Sequence, residues 1–254
     1  MTDETISTAP VAILGSGVCL PDEDVATGLG FADAGIDASV LPFMVRRRTS
    51  TATRIAITAA GRACTAAGTG NTLPAIFTSC VGEMQVTDKL CRAITRQEYP
   101  LSPTLFHNSV HNTAAGYWSM ATGSVAAMQA IGALDDGFAL GLLEAWCQLQ
   151  TVTEHVLLVV YDEAMPAQLL PDYRWKASAF ALVLGRDAHD CPSIHRPVQA
   201  TVPDPTLSDA DFPTNNPAMA ALPLFQALQQ ARSGEQTITL SPGKCPWRSN
   251  VIMP

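Results

Sequence analysis

Residues 102–134 read SPTLFHNSVHNTAAGYWSMATGSVAAMQAIGAL, thirty-three positions without one Asp, Glu, Lys or Arg. Such a run is long enough to cross a bilayer. Its His, Asn, Gln and many Ser and Thr residues argue against that, because unpaired polar groups are costly in hydrocarbon. An ordinary apolar core does not want these residues either. Ser102-Pro103 is a helix-start signal, so residues 103–122 read as a helix, with an extended segment at 124–131. The stretch therefore reads as a helix and a strand facing something uncharged.

The rest of the 254-residue chain fits a large packed core. Hydrophobic residues make up 47% and charged residues 15%, well below the usual quarter. The formal net charge is −8, which speaks against a nucleic-acid or anionic-membrane binder. Seven scattered Cys without a CxxC pair suggest a reducing compartment, and cytoplasmic location is expected. No secretory leader or membrane span is expected: the start, MTDETISTAP, is polar and acidic.

Apolar runs at 11–17, 73–80, 155–161 and 177–185 read as buried strands. Residues 49–68, 82–97 and 135–150 read as helices, the first with Thr49, Ser50 or Thr51 as N-cap and Gly68 as stop. The order βαβααβαββ predicts an α/β fold. Composition then shifts, with ten of eighteen prolines in the last 68 residues. One domain over 1–254 is expected, with a core at about 11–186. A Pro-rich extension with a short helix (217–231) covers 187–235, and a returning strand and weakly ordered tail cover 236–254.

Five features invite chemistry. The GSG after the first strand has no third glycine and meets Pro21, so it is a poor dinucleotide loop. His107 and His111, four apart, share a face if the helix is continuous, yet no HExxH or third ligand accompanies them, so no metal is expected. Cys80, between a strand and a helix start, is a conceivable nucleophile with either histidine. Arg46, Arg47 and Arg48 form a dense basic cluster suited to an acidic partner, or to a solvated loop. Asp162 and Glu163 are adjacent carboxylates, which on a strand point to opposite faces.

In order along the chain come GSGVCLP, RRRTSTATRIAITAAGRAC, TSCVGE, SPTLFHNSVHNTAAGYWSMATG, VLLVVYDE and AFALVLGR. Together these resemble the N-terminal half of a β-ketoacyl synthase of the thiolase-like superfamily, over roughly Val11 to Arg186. The branch is that of aryl-polyene and related pigment pathways. The resemblance implies an α/β thiolase-like fold: a mixed sheet of about five strands sandwiched by helices, with the C-terminal half lacking. It also implies a nucleophilic Cys at the turn within Gly132, Ala133, Leu134 and Asp135, where no Cys, Ser or Thr stands. The family's two C-terminal His have no counterpart.

This departure resembles a chain-length factor, a synthase-like subunit without its own catalytic residues. Such factors often carry Gln at the nucleophile position, and Gln129 is the closest Gln, several residues early. The resemblance implies heterodimerisation with a full-length β-ketoacyl-acyl-carrier-protein synthase, indirect contact with acyl carrier protein, and no cofactor. Tunnel or interface candidates are Phe106, His107, Val110, His111, Tyr117, Trp118, Met128 and Gln129. Arg46, Arg47 and Arg48 are carrier-contact candidates. In this reading the 124–131 strand pairs across a pseudo-two-fold axis, and a partner explains the missing charge. A small Cys80 acyltransferase or thioester hydrolase, and an acyl-binding scaffold, are the alternatives.

Overall fold

The structure is a computed structural model describing residues 9–169, 175–187, 189–201, 216–241 and 245–254. A mixed sheet runs through it in the order β3-β2-β4-β5-β1-β6-β9-β7, with β8 on the outer side of β9. The five inner strands are β1 (Val11–Cys19), β2 (Ala75–Thr78), β3 (Met128–Ile131), β4 (His155–Asp162) and β5 (Ser178–Gly185). β3, β2 and β4 are parallel, whereas β4–β5 and β5–β1 are antiparallel.

β4 beyond half-buried His155, and the whole of β5, are buried, which is why each reads as a nearly continuous apolar run. Alternation divides them between two cores. Val156, Leu158, Val160, Phe180, Leu182 and Leu184 pack with α7 (Gly137–Thr151) and α8 (Leu222–Gln230). Leu157, Val159, Tyr161, Ala179, Ala181 and Val183 pack with α3 (Thr51–Ala67) and α6 (Thr113–Thr122).

Helix α3 follows its signals closely. The Ser50 hydroxyl accepts from the Thr53 amide at 2.9 Å, and Gly68 closes the helix in the left-handed conformation. Alanines along α3 let the sheet come close. A methyl group at Gly15 or Gly17 of β1 would strike the α3 backbone between Ala59 and Ala67. The GSG is therefore a packing device between strand and helix.

The long helix expected at 103–122 is two helices, α5 (Pro103–His107) and α6. Asn108 is drawn away from helical duty. Its Nδ2 donates to the Arg48 carbonyl at 2.7 Å and its Oδ1 accepts from the Tyr117 hydroxyl at 2.9 Å. The following extended segment is also shorter than expected. Ser124 accepts from the Ala126 amide at 3.2 Å and forms a turn, leaving only Met128–Ile131 in the ladder.

The C-terminal region returns to the sheet with more strands than the sequence suggested. β6 (Ser193–Ile194) and β7 (Val198–Gln199) pair with β9 (Trp247–Met253), and β8 (Gly234–Thr239) forms a hairpin with it. The tail expected to be weakly ordered is thus a strand; its alternate residues Ser249, Val251 and Met253 are buried. Pro217–Ala221 is a short 3-10 turn before α8, because Pro223 resets the helix start. Two short helices, α1 (Glu23–Gly28) and α2 (Phe43–Arg46), lie between β1 and α3, and α4 (Met84–Thr95) follows β2.

Candidate functional site

The parallel strands β3, β2 and β4 all end on one side of the sheet, the usual location of sites in open α/β folds. Three connections meet there: residues 79–83 after β2, 132–136 after β3, and Asp162-Glu163 at the end of β4.

Asp162 organises the first connection. Its buried carboxylate accepts from the Ser79 hydroxyl at 2.6 Å and from the amides of Cys80 and Val81 at 3.0 and 3.1 Å. The Ser79 hydroxyl in turn accepts from the Gly82 amide at 2.7 Å. Burial pushes the Asp162 carboxyl up to about 6, while these donors and the nearby His111 pull it down.

Glu163 has a different task. It accepts from the amides of Gln85, at 2.9 Å, and Ala52, at the starts of α4 and α3. Burial raises it to about 7, and the charge of Glu83 adds to the rise. Glu83, itself 1% exposed, accepts from the Thr53 hydroxyl at 2.6 Å. Burial raises its pKa as well, and its Oε2 has no hydrogen-bond partner. The adjacent carboxylates are structural clamps on separate loops.

His111 lies over the second connection. Its Nε2 is 3.0 Å from the Ser79 carbonyl oxygen, which fits the tautomer that donates from Nε2. A methyl group at Gly132 would sit 3.4 Å from that nitrogen, and one at Gly82 3.1 Å from the His111 Cδ2. Gly82 also has φ +59. The first loop therefore closes on the imidazole because Gly82 is glycine, whereas Gly132 lies at an ordinary packing distance from the ring.

The turn from β3 into α7 holds Gly132, Ala133, Leu134 and Asp135, followed by a 3-10 turn at Leu134–Asp136. Leu134 has φ +47 and is 71% exposed. A leucine in this conformation costs about 1–2 kcal/mol. The sharp strand-to-helix turn where a nucleophile was expected is present, and it presents an aliphatic side chain.

His107 and His111 do not share a helix face, since α5 ends between them. His107 is exposed and meets the Tyr117 ring edge-on at 6.3 Å. Cys80 is not activated. Burial, with the charges of Asp162 and Asp135, pushes its thiol up to about 12, so the thiolate that nucleophilic chemistry needs is scarce. Among the described residues no group of three or more His, Cys, Asp or Glu is placed to hold a metal.

The tunnel and interface candidates fall into two sets. Phe106 and Val110 are exposed, and Met128 and Gln129 lie on edge strand β3, Gln129 accepting from Gln148 Nε2 at 3.0 Å. Tyr117 and Trp118 are packed inside the α3–α6 core. Arg46 donates to the Leu41 carbonyl at 3.3 Å, whereas Arg47 and Arg48 are exposed. Sequence reasoning missed the roles of Glu83 and Thr53 and the inward use of Asp162. A charged residue following an apolar strand was their only signal.

The family model for the beta-ketoacyl synthase N-terminal domain matches residues 26–248. No curated protein matches the chain in sequence. Among solved structures, the chain is similar to the ketosynthase (ApeO) in complex with its chain length factor (ApeC) from Xenorhabdus doucetiae. Identity there is 21% and the TM-score 0.68, over 95% of this chain and 99% of that one. It is also similar to the AntDE:AntF complex of a type II acyl-carrier protein with its ketosynthase, with 13% identity and a TM-score of 0.74 over 98% and 100% of the two chains. The ishigamide ketosynthase/chain length factor gives 13% and 0.68, over 96% and 99%. At such identities the likeness carries the fold, which is the one the sequence motifs implied. No helix among the described residues is long and apolar enough to cross a membrane.

Proposed function

The chain belongs to the β-ketoacyl synthase N-terminal-domain family, and on that premise we propose that it is a non-catalytic partner subunit, a chain-length factor. It heterodimerises with a complete β-ketoacyl-acyl-carrier-protein synthase and shapes the acyl tunnel in fatty acid or polyketide synthesis of the aryl-polyene type. The observation that carries this reading is the β3–α7 turn, where none of Gly132, Ala133, Leu134 and Asp135 is a Cys and the large side chain held outward is that of Leu134. A Claisen condensation needs a thiolate to hold the acyl chain and donors to stabilise the developing anion. A leucine supplies neither.

Three of the similar structures are ketosynthase assemblies, two of them with a chain length factor. Pairing through β3 suits a strand whose neighbours carry no charge. Phe106, His107, Val110, Met128 and Gln129 lie at that contact and at the cavity wall. His111 holds the loops behind it, and Tyr117 and Trp118 support it from the core. We assign Arg46, Arg47 and Arg48 to contact with the acidic carrier protein, a role that fits a cytoplasmic subunit working on carrier-bound intermediates.

Co-expression with a cognate synthase tests the reading. A 1:1 complex whose products differ in length from those of the synthase alone is expected. A stable monomer that changes neither the synthase's solubility nor its products would sink it. Selective iodoacetamide labelling of Cys80 ahead of exposed Cys91 would favour the acyltransferase alternative.

A further inference from the structure

Leu134 is the one large apolar residue with a left-handed backbone among the described residues. The other non-glycine residues with positive φ are Asp33, Gln97, Asp190 and Ala231, all polar or small. Ala231 caps α8, and Gln97 lies just beyond α4. Helix ends and short polar side chains are the ordinary places for this conformation. A leucine in an exposed turn is not.

Strain of this kind persists where the surroundings impose it and something is gained by it. The imposition is visible: Gly132 packs beside His111, and the chain must turn at once through the 3-10 turn into α7. The gain is not in the chain's own interior, because Leu134 belongs to neither core and remains 71% exposed. It stands three residues beyond Ile131, the last residue of open edge strand β3. Phe106, Val110, Met120 and Val125 of the same charge-free stretch are exposed too.

We infer that Leu134 is a recognition peg: the strained turn holds its side chain out for an apolar pocket on the synthase subunit, fixing the register of the two chains. The inference rests on the pairing proposed above and adds the residue that decides the fit. The occupant is a protein pocket and not the acyl chain, because the peg continues the edge at which the two sheets meet. A leucine held in one conformation loses little freedom on docking, which favours an anchoring role.

The test uses the full chain, alone and with its synthase. Leu134→Gly removes the side chain and relieves the turn, whereas Leu134→Ala removes the side chain and keeps the strain. Both variants should bind the synthase at least about tenfold more weakly than the wild type. The Gly variant alone should melt no lower than the wild type, which separates lost recognition from lost folding. Leu134→Met should restore most of the affinity. Unchanged affinity in both the Gly and Ala variants would overturn the inference. So would unchanged affinity with longer products, which would assign Leu134 to the acyl chain. If the wild-type chain itself fails to bind, the pairing falls first, and the two failures are distinguishable.

Discussion

The two edges of the sheet are built in opposite ways. At one side β3 is Met-Gln-Ala-Ile inside a stretch without any charge, and its flanks expose Phe106, Val110, Met120, Val125 and Leu134. At the other, β8 is Gly-Glu-Gln-Thr-Ile-Thr, starting from a glycine with φ +119. Its Glu235 and Thr237 reach across to the Asn250 side chain at 2.7 and 2.8 Å. Open edges invite pairing with other chains, and proteins commonly blunt them with charge and irregularity. β8 is blunted and β3 is not. An edge left unblunted for four residues, among exposed apolar side chains, fits the partner contact proposed above.

Charge placed on the apolar edge should break this contrast most strongly. Ala130→Lys sets an unpaired ammonium on exposed β3. Synthase binding should weaken by about 2–5 kcal/mol, enough to abolish co-purification, with little change in the melting of the isolated chain. Second comes the support behind that edge. Asp162→Ala strands the Ser79 hydroxyl and two loop amides, and should lower stability by about 3 kcal/mol in urea unfolding.

A pH effect of comparable or smaller size comes from Glu163. Its folded pKa, about 7, lies above the ordinary glutamate value of 4.5, so the folded chain keeps a proton that the unfolded chain releases. Stability should therefore fall as pH rises from about 4.5 to 7, by at most about 3 kcal/mol, and Asp162, raised to about 6, adds to the lower part of this window. Glu163→Gln should flatten the dependence, because the amide still accepts from Gln85 and has no proton to lose. Denaturant titrations at pH 5 and pH 7.5 measure the difference. The smallest effect is expected at the blunted edge. Gln236→Lys on exposed β8 should change stability by less than about 0.5 kcal/mol and leave synthase binding intact. Equal losses from Ala130→Lys and Gln236→Lys would show that the two edges do not differ in function.

The parts of the fold that could be read from sequence are those in which local and tertiary preferences agree. Helix α3 has its hydroxyl cap and glycine stop, and β4 and β5 are apolar between their ends because both faces are covered. What was hidden depends on contacts distant in sequence. The break between α5 and α6 comes from Asn108 bonding to Arg48, sixty residues away. The last strand is paired with β8, and its polar Arg248, Ser249 and Asn250 gave it the look of a tail. At the site, the sequence shows that residues 132–135 hold no Cys, Ser or Thr. The left-handed leucine was not legible, since no residue preference predicts Leu there.

The double burial of β4 and β5 also gives the molecule an internal clock. Amides paired within these strands should exchange with deuterium only when the whole subunit unfolds. The outward amides of β3 have no second strand and should exchange quickly until a neighbouring chain covers them. The ratio of the two rates in one sample then reports occupancy of the edge separately from global stability, without any label or mutation.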